Sequence, residues 1–189
     1  MNRIDFLLNP LHGKVLDVGY VSGTLHERVL ERLDKKQVFG LDTETKKENA
    51  LYKRGSAERM PYPAKSFDSI LAGELIEHLN HPEQFVAESA RVLKKGGLLC
   101  LSTPNRNSWV NRLTKSYHTP VHLHLFDRKE LTQLLRENGF EIVGFRHFPY
   151  TEESSDGARH KSMFAIRKAV HHAVPSHWRE EMAVVAKKQ

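Results

Sequence analysis

The sequence predicts a doubly wound α/β fold with a mostly parallel sheet of seven strands. Short apolar runs that end at a glycine or an acid alternate along the chain with segments whose apolar residues recur at helical spacing. Apolar runs without alternating polar residues are typical of parallel strands, which are buried on both faces. The seven strand candidates are residues 14–19, 37–42, 52–55, 66–72, 98–103, 140–145 and 182–186.

An amphipathic helix follows the first strand candidate. Leu25, Val29 and Leu33 lie on one face of it at helical spacing, whereas the acids and bases between them turn outward. With the second strand candidate this segment makes a strand–helix–strand unit. The polar stretch Thr43–Ala50 then predicts a short helix before the third strand.

Two later helices carry start and stop signals. Pro82 stands at the first turn of a helix that ends at Lys95-Gly96-Gly97. Asp127 and Glu130 have the spacing of a capping box, and Gly139 stops the helix that they begin.

Length and composition predict one domain over residues 1–189. The apolar runs are far shorter than the roughly 20 residues of a membrane-spanning helix. The single Cys100 excludes an internal disulfide, and the first residues lack the pattern of a signal peptide, so we expect a cytoplasmic protein.

Two segments interrupt the alternation of strands and helices. They are residues 105–126 and 147–181, and the second predicts a basic helix near Arg159–His172. Insertions that leave a sheet in this way often carry function, so we expect them to form a lid or to contact substrate. A basic amphipathic segment can also rest on anionic lipid, which leaves peripheral membrane contact open.

The chemistry should lie at the carboxyl ends of the strands, where open α/β sheets bind ligands. The turn after the first strand contains Asp17, Gly19 and Gly23, but it lacks the middle glycine of the dinucleotide-binding pattern. Asp42 closes the second strand, 25 residues after Asp17. A carboxylate at that place can accept hydrogen bonds from a ribose diol.

At this point the chain resembles the class I S-adenosylmethionine-dependent methyltransferases, in particular the small branch that includes ubiquinone-biosynthesis enzymes. Six blocks stand in family order from about Gly13 to Gly144. They are Val15–Gly19 with Ser22-Gly23, Gly40–Asp42, Gly55–Pro61 leading into Ser66–Asp68, Glu74–Leu79, Arg91–Gly97 and Ser102–Asn105.

The resemblance implies S-adenosyl-L-methionine as cofactor and a Rossmann-like sheet whose last strand is antiparallel. It implies that Asp17 and the Gly19–Gly23 turn hold the methionine end, that Asp42 holds the ribose, and that Ala57 and Glu58 lie beside the adenine. The full cofactor-binding set implied is Asp17, Gly19, Tyr20, Gly23, Asp42, Thr43, Ala57, Glu58, Ala72, Gly73 and Glu74. Because the cofactor brings its own activated methyl group, no nucleophilic residue is required.

The sequence departs from the family at two places. The family usually has Cys-Gly where this chain has Tyr20-Val21, so the Val21 side chain could crowd the cofactor, and a relative without catalysis is one alternative. Only about a dozen residues precede the first strand, where relatives often place a helix that covers the substrate. We therefore expect the lid to come from the later insertions.

Histidines are the candidate catalytic residues, because imidazole can take a proton near neutral pH. His78 follows the cofactor wall, and His122 and His124 alternate in the first insertion together with His118. His78 could instead position a helix through a hydrogen bond, and Trp109 and Tyr117 could either stack on a flat acceptor or serve in ordinary packing. His122 and His124 could be metal ligands, but without a clear third ligand we expect no metal site.

The expected acceptor is a small molecule methylated most readily on oxygen. The net charge of +6 raises nucleic acid as another acceptor. However, Gly73-Glu74-Leu75 stands where an Asn/Asp-Pro-Pro-aromatic block would clamp a target base, so no nucleic-acid partner is expected.

Overall fold

The computed structural model describes residues 1–22, 25–115, 119–149 and 174–189. Seven strands form one sheet in the order β3-β2-β1-β4-β5-β7-β6. The helices are α1 Arg3–Leu8, α2 Leu25–Arg32, α3 Pro82–Val92, α4 Trp109–Thr114 and α5 Arg128–Glu137. The strands are β1 Val15–Val18, β2 Val38–Asp42, β3 Tyr52–Arg54, β4 Phe67–Gly73, β5 Leu93–Pro104, β6 Phe140–Phe148 and β7 Glu181–Lys188.

The pairing of the strands confirms the predicted fold class. β1 lies between β2 and β4 and is parallel to both. The parallel arrangement extends to β3 and β5 at either side. β7 is inserted between β5 and β6 and is antiparallel to both. The sheet is therefore mixed, with its last strand reversed.

Each face of the sheet is covered by its own hydrophobic cluster. On one face, Leu7 of α1 and Val29 of α2 pack with Val15 and Cys100. On the other, Phe85 of α3 and Leu131 of α5 pack with Leu16. Burial raises the pKa of Cys100 to about 12, so its thiol stays protonated and acts as a packing group.

The start signals of α3 and α5 have the structural roles that the sequence predicts. Pro82 occupies the first turn of α3. At α5, the Asp127 side chain accepts a hydrogen bond from the Glu130 N–H at 3.0 Å, and the Glu130 carboxylate accepts one from the Asp127 N–H at 3.0 Å. The reciprocal bonds satisfy two amides that lack partners within the helix.

Two predictions about local structure were wrong, and one short helix was not predicted. Thr43–Ala50 forms turns rather than a helix, because the segment has no apolar face to bury and the Thr45 hydroxyl donates to the backbone oxygens of Asp42 and Lys53. α3 ends at Val92 and passes directly into β5, which begins at Leu93, so Lys95-Gly96-Gly97 lies in the strand rather than at the end of the helix. The short front end contains α1, whose apolar side chains are buried.

The insertions are only partly described. Residues 105–126 contain α4. At the other insertion β6 continues to Phe148 and β7 begins at Glu181, so the strands are longer than predicted. Gly23, Tyr117, His118 and the basic segment Arg159–His172 lie outside the described residues. Among the helices that the structure describes, none is long and apolar enough to cross a membrane.

Candidate functional site

A cavity of about 430 Å³ opens at the carboxyl ends of β1, β2 and β4, where the sequence predicts the cofactor. Ser56, Leu75 and Asn80 are wall residues that the sequence did not single out. The predicted site residues that line it are Gly19, Asp42, Thr43, Ala57, Glu58, Gly73, Glu74 and His78. Those that do not are Asp17, Tyr20, Ala72, His122 and His124.

The turn after β1 forms a cradle that a side chain would fill. Gly19 has a positive φ of 79°, a conformation that favours glycine, and its N–H donates to the Leu41 oxygen at 2.9 Å. A Cβ atom at Gly19 would lie 3.1 Å from Cδ1 of Leu75. The backbone is thus open toward the cavity only because this residue is glycine.

The Asp42 carboxylate is held in place by two backbone amides. Its Oδ2 accepts a hydrogen bond from the Val21 N–H at 3.1 Å, and its Oδ1 accepts one from the Glu44 N–H at 2.9 Å. Each carboxylate oxygen retains a further lone pair, so the group can also accept from a diol. Val21 therefore contributes its amide to the site, while its side chain is 42% exposed.

Asp17 lies below the cavity rather than in its wall. It is 3% exposed, and its Oδ2 atom lies 2.9 Å from Nδ1 of His26. The other ring nitrogen of His26 lies 3.0 Å from the Tyr52 hydroxyl. Burial raises the pKa of Asp17, the His26 hydrogen bond opposes this rise, and the nearby Asp42 charge adds to it.

Tyr20 packs against the same side chains. Its ring lies 4.9 Å from that of His26 and 5.2 Å from that of Tyr52, and its hydroxyl contacts the Thr45 hydroxyl at 3.2 Å. The structure thus places Asp17 and Tyr20 as supports of the turn. Direct contact of either residue with a ligand stays a prediction.

Two residues predicted beside the adenine lie opposite the turn. Ala57 is buried at 7% exposure, and Glu58 accepts a hydrogen bond from the His81 N–H at 2.6 Å. Ala57 offers a flat apolar surface, whereas Glu58 offers a fixed carboxylate. The wall here suits a flat heteroaromatic group with polar edges.

Glu74 is held by an arginine that sequence reasoning missed. It has a φ of 49°, and its Oε1 atom accepts from Nη1 of Arg3 at 2.9 Å. The same nitrogen donates to the Ser102 hydroxyl at 2.9 Å, and Nε of Arg3 lies 3.0 Å from Oε2 of Glu181. Arg3 is 6% exposed and connects α1 to β5, β7 and the cavity wall.

His78 is the one predicted catalytic histidine in the cavity wall. Its Nδ1 lies 2.7 Å from the Val121 carbonyl oxygen. A carbonyl only accepts hydrogen bonds, so Nδ1 carries the ring proton and Nε2 of the neutral imidazole is left as an acceptor. That Nε2 lies 4.0 Å from Oε1 of Glu77.

Glu77 is a second residue that sequence reasoning did not single out. It is fully buried, its Oε2 accepts from the Thr103 hydroxyl at 2.9 Å, and its Oε1 has no hydrogen-bond partner among the described residues. Burial, followed by the charge of Glu74, raises its pKa well above the ordinary value. An orphaned oxygen on a buried carboxyl next to His78 indicates a group with a functional role.

The other two candidate histidines support His78 from the insertion. The His122 ring lies 5.0 Å from the His78 ring. Nε2 of His124 lies 3.3 Å from the Asn80 carbonyl oxygen. The backbone N–H of His124 donates to the backbone carbonyl oxygen of Glu77 at 3.1 Å. Ligand-type atoms of Glu77, His78 and His122 lie within 4.8 Å of one another, so the expectation that no metal binds remains open to test.

Arg3 and Glu77 were missed for different reasons. Arg3 is an isolated cation before the first recognisable element, and no pattern in the sequence places it in the core. Glu77 directly precedes His78, and burial alone distinguishes it from a surface acid. His26 could have been found, because helical spacing puts it in the first turn behind the glycine-containing loop.

The chain is similar to known methyltransferases in both sequence and fold. The family model described as "Methyltransferase domain" matches residues 1–144. A probable S-adenosylmethionine-dependent methyltransferase of Mycolicibacterium smegmatis is 37% identical over 90 residues, which are 48% of this chain and 35% of that protein. A ubiquinone biosynthesis O-methyltransferase of Idiomarina loihiensis is 34% identical over 136 residues, covering 61% of this chain and 55% of that protein.

The chain thus spans about a third to a half of the length of these curated relatives. Among solved structures, a SAM-dependent methyltransferase of Thermotoga maritima, described as a possible histamine N-methyltransferase, aligns with a TM-score of 0.69 at 22% identity. The alignment covers 100% of this chain and 88% of that one. This likeness bears on the fold alone, and it agrees with the predicted class.

Proposed function

The chain belongs to the methyltransferase domain family, and from that premise we propose that it transfers a methyl group from S-adenosylmethionine to an oxygen atom of a small-molecule acceptor. The observation that carries the proposal is the tautomer of His78. Its Nδ1 proton is engaged by Val121, so an accepting Nε2 remains in a residue that lines the cavity. A hydroxyl acceptor needs such a base.

The residues around the cavity fit an adenosyl cofactor. The volume of about 430 Å³ lies within the range of small-molecule sites. The Gly19 cradle permits close approach of a ligand to the backbone, and the Asp42 oxygens keep lone pairs for ribose hydroxyls. Ala57 and Glu58 would lie beside the adenine, and Gly73 and Glu74 would form the wall nearest the transferred group.

When bound, S-adenosylmethionine supplies a methyl group activated by a positively charged sulfur. The protein has to align the acceptor and keep water away from it. Glu74 is positioned for this by its ion pair with Arg3. His78 would hold the acceptor hydroxyl through Nε2 and take its proton as the methyl group is accepted.

Glu77 would support the proton transfer without touching the acceptor. Its Oε1, 4.0 Å from Nε2 of His78, is too distant for a hydrogen bond, but its charge state responds to that of the imidazole. A proton on His78 favours the ionised form of Glu77. Glu77 is therefore a positioning residue that stabilises the protonated histidine.

Two features favour a small acceptor methylated on oxygen. The cavity is concave and of modest size, and relatives such as that of Idiomarina loihiensis are named O-methyltransferases. The alternative of a relative without catalysis rested on crowding by Val21. Val21 lines the cavity with a side chain that is 42% exposed, so the methyl-transfer measurement below decides between this alternative and catalysis.

Transfer of a labelled methyl group tests the proposal. The protein is incubated with methyl-labelled S-adenosylmethionine and a panel of phenols, catechols, amines and thiols, and S-adenosylhomocysteine binding is measured by calorimetry. Asp42→Asn should weaken binding at least tenfold, whereas Asp34→Asn, which replaces an exposed capping acid by another good cap, should leave it unchanged.

Label recovered on oxygen supports the proposal. Binding of S-adenosylhomocysteine without transfer to any member of the panel would identify a non-catalytic relative. Preferential label on nitrogen or sulfur would contradict the oxygen acceptor.

A further inference from the structure

A second cavity of about 560 Å³ lies at the carboxyl end of β5. It is bounded by α4, by the first turn of α5, by the end of β6 and by the turn that carries His177 and Trp178. None of the cofactor or catalytic roles above involves it. We call it the basic cleft, and its charged and imidazole side chains are Arg106, Arg112, Lys115, Arg128, His147 and His177.

The basic cleft carries more positive charge than the carboxylates among the described residues neutralise. Arg106 forms ion pairs with Asp127 at 2.7 Å and Glu130 at 2.8 Å. Among the described residues, no carboxylate forms an ion pair with Arg112, Lys115 or Arg128. The wall described for the cleft includes no Asp or Glu.

Aromatic rings hold two of these cations in place. The guanidinium of Arg112 lies 5.4 Å from the ring centre of Trp178, and that of Arg128 lies 4.8 Å from the ring centre of Phe145. Such contacts orient a guanidinium but leave its net charge intact. Both groups are thus positioned cations that can still bind an anion.

Hydrogen bonds fix the backbone around the cleft. The Asn105 side-chain amide donates to the His177 oxygen at 3.0 Å and to the Arg179 oxygen at 2.7 Å, which ties the turn carrying His177 and Trp178 to the end of β5. At the end of α4, Lys115 is left-handed with a φ of 54°, and its N–H donates to the Asn111 oxygen at 2.9 Å. The cleft is therefore largely pre-formed.

The positive environment of the cleft also acts on His147. Burial, together with the charges of Arg128, His177 and Arg179, lowers its pKa to about 4. The imidazole is consequently neutral near pH 7 and can donate or accept a hydrogen bond. Cations fixed around a half-buried neutral imidazole match what a compact oxyanion needs.

We propose that the basic cleft binds a phosphate group, or a diphosphate, of a small molecule. Arg112, Lys115 and Arg128 supply the balancing charge, and the volume lies within the range of ligand pockets. Because the cleft and the cofactor cavity share the carboxyl edge of the sheet, the phosphate could belong to the methyl acceptor or to a separate ligand. Binding itself does not depend on the methyl transfer proposed above.

Calorimetry with inorganic pyrophosphate at low ionic strength tests the cleft in the full chain. The wild type should bind pyrophosphate, and Lys115→Gln with Arg128→Gln should raise the Kd at least tenfold. Arg136→Gln removes one exposed positive charge from the same helix as Arg128 and should change the Kd less than twofold. S-adenosylhomocysteine binding by each variant reports whether its fold is intact.

Absence of pyrophosphate binding in a wild type that binds S-adenosylhomocysteine overturns the cleft and leaves the proposed function standing. If Arg136→Gln raises the Kd for pyrophosphate as much as the double variant does, the proposal is also overturned, because diffuse surface charge would then explain the binding. A wild type that binds an RNA oligonucleotide but shows no measurable affinity for pyrophosphate would also contradict the proposal. If the double variant fails to fold, the exposed Lys115→Gln alone is used, with at least a threefold rise in Kd expected.

A pair of phenolic acceptors, one with and one without a phosphate ester, distinguishes the two sources. If pyrophosphate competes with the phosphorylated phenol but not with the other phenol, the phosphate bound in the cleft is part of the methyl acceptor. Pyrophosphate that binds together with either phenol identifies a separate ligand. Both results support an oxyanion in the cleft.

Discussion

Nε2 of His78 lies 4.0 Å from Oε1 of Glu77, and this pair joins an exposed wall residue of the cofactor cavity to a fully buried carboxyl. The Val121 carbonyl sets the tautomer of the histidine, and Thr103 holds the other carboxyl oxygen. Proton transfer and pH-dependent stability should therefore both depend on this pair.

Replacing the proposed base should stop turnover without preventing cofactor binding. His78→Asn removes the accepting Nε2, and we expect kcat to fall by about a hundredfold or more. The Kd for S-adenosylhomocysteine should stay within about threefold. His12→Asn, which changes an exposed histidine just before β1 at the opposite edge of the sheet, should have neither effect. Unchanged kcat in His78→Asn would assign the proton to another group.

The raised pKa of Glu77 predicts how stability depends on pH. The folded state holds this proton more tightly than the unfolded state, so from the ordinary value of 4.5 upward the free energy of unfolding falls as pH rises. Glu77→Gln removes the titration. Between pH 5 and pH 8, the free energy of unfolding measured in urea should decrease less for this variant than for the wild type. Glu31→Gln, at an exposed acid, should behave like the wild type.

At Val21 the amide should matter more than the side chain. The N–H donates to Asp42, whereas the side chain is 42% exposed, so Val21→Ala should change the Kd for S-adenosylhomocysteine less than twofold. Val21→Pro lacks the donor and should weaken binding about tenfold, measured by the same calorimetry. Equal affinities of the two variants for S-adenosylhomocysteine would show that the Val21 amide does not contribute to binding.

Arg3 should be essential to the stability of the carboxyl edge. Arg3→Met removes the ion pairs that this buried guanidinium forms with Glu74 and Glu181, and breaking a buried ion pair costs about 3–5 kcal/mol. Arg32→Gln breaks a partly exposed ion pair with Asp5 and should cost about 0–1 kcal/mol. Urea unfolding measures both, and similar small costs would show that Arg3 is not needed.

Chelation distinguishes a histidine base from a bound cation. Glu77, His78 and His122 have the proximity of a metal site, yet the proposed base needs a metal-free Nε2. Methyl transfer should therefore be unchanged after dialysis against EDTA. If dialysis abolishes methyl transfer and added zinc restores it, a bound metal rather than a histidine base activates the acceptor.

The centre of the sheet was predictable from the sequence because β1 and β4 are buried on both faces, so that each gives a plain apolar run. The turns of Thr43–Ala50 were not predictable, because helix propensity alone cannot show that the Thr45 hydroxyl will form hydrogen bonds with the backbone oxygens of Asp42 and Lys53. α1 escaped notice because a helix of six residues gives too short a period to recognise.

The candidate site was predictable where backbone position decides the role. Gly19 and Asp42 line the cavity because both stand at the ends of neighbouring parallel strands. Asp17 stands at the end of β1 too, yet its side chain is engaged by His26 of α2. Side-chain partners contributed by distant elements, such as His26 and Arg3, depend on tertiary packing that a single sequence does not reveal.

The insertion of β7 between β5 and β6 has a consequence for biosynthesis. β6 emerges from the ribosome before the strand that attaches it to the sheet, so β6 cannot dock until residues up to Lys188 have been translated. Until then β5 presents an unpaired edge to other nascent chains. The final hydrogen-bonded ladders of the sheet therefore form late, and chains stopped before Glu181 should aggregate during expression.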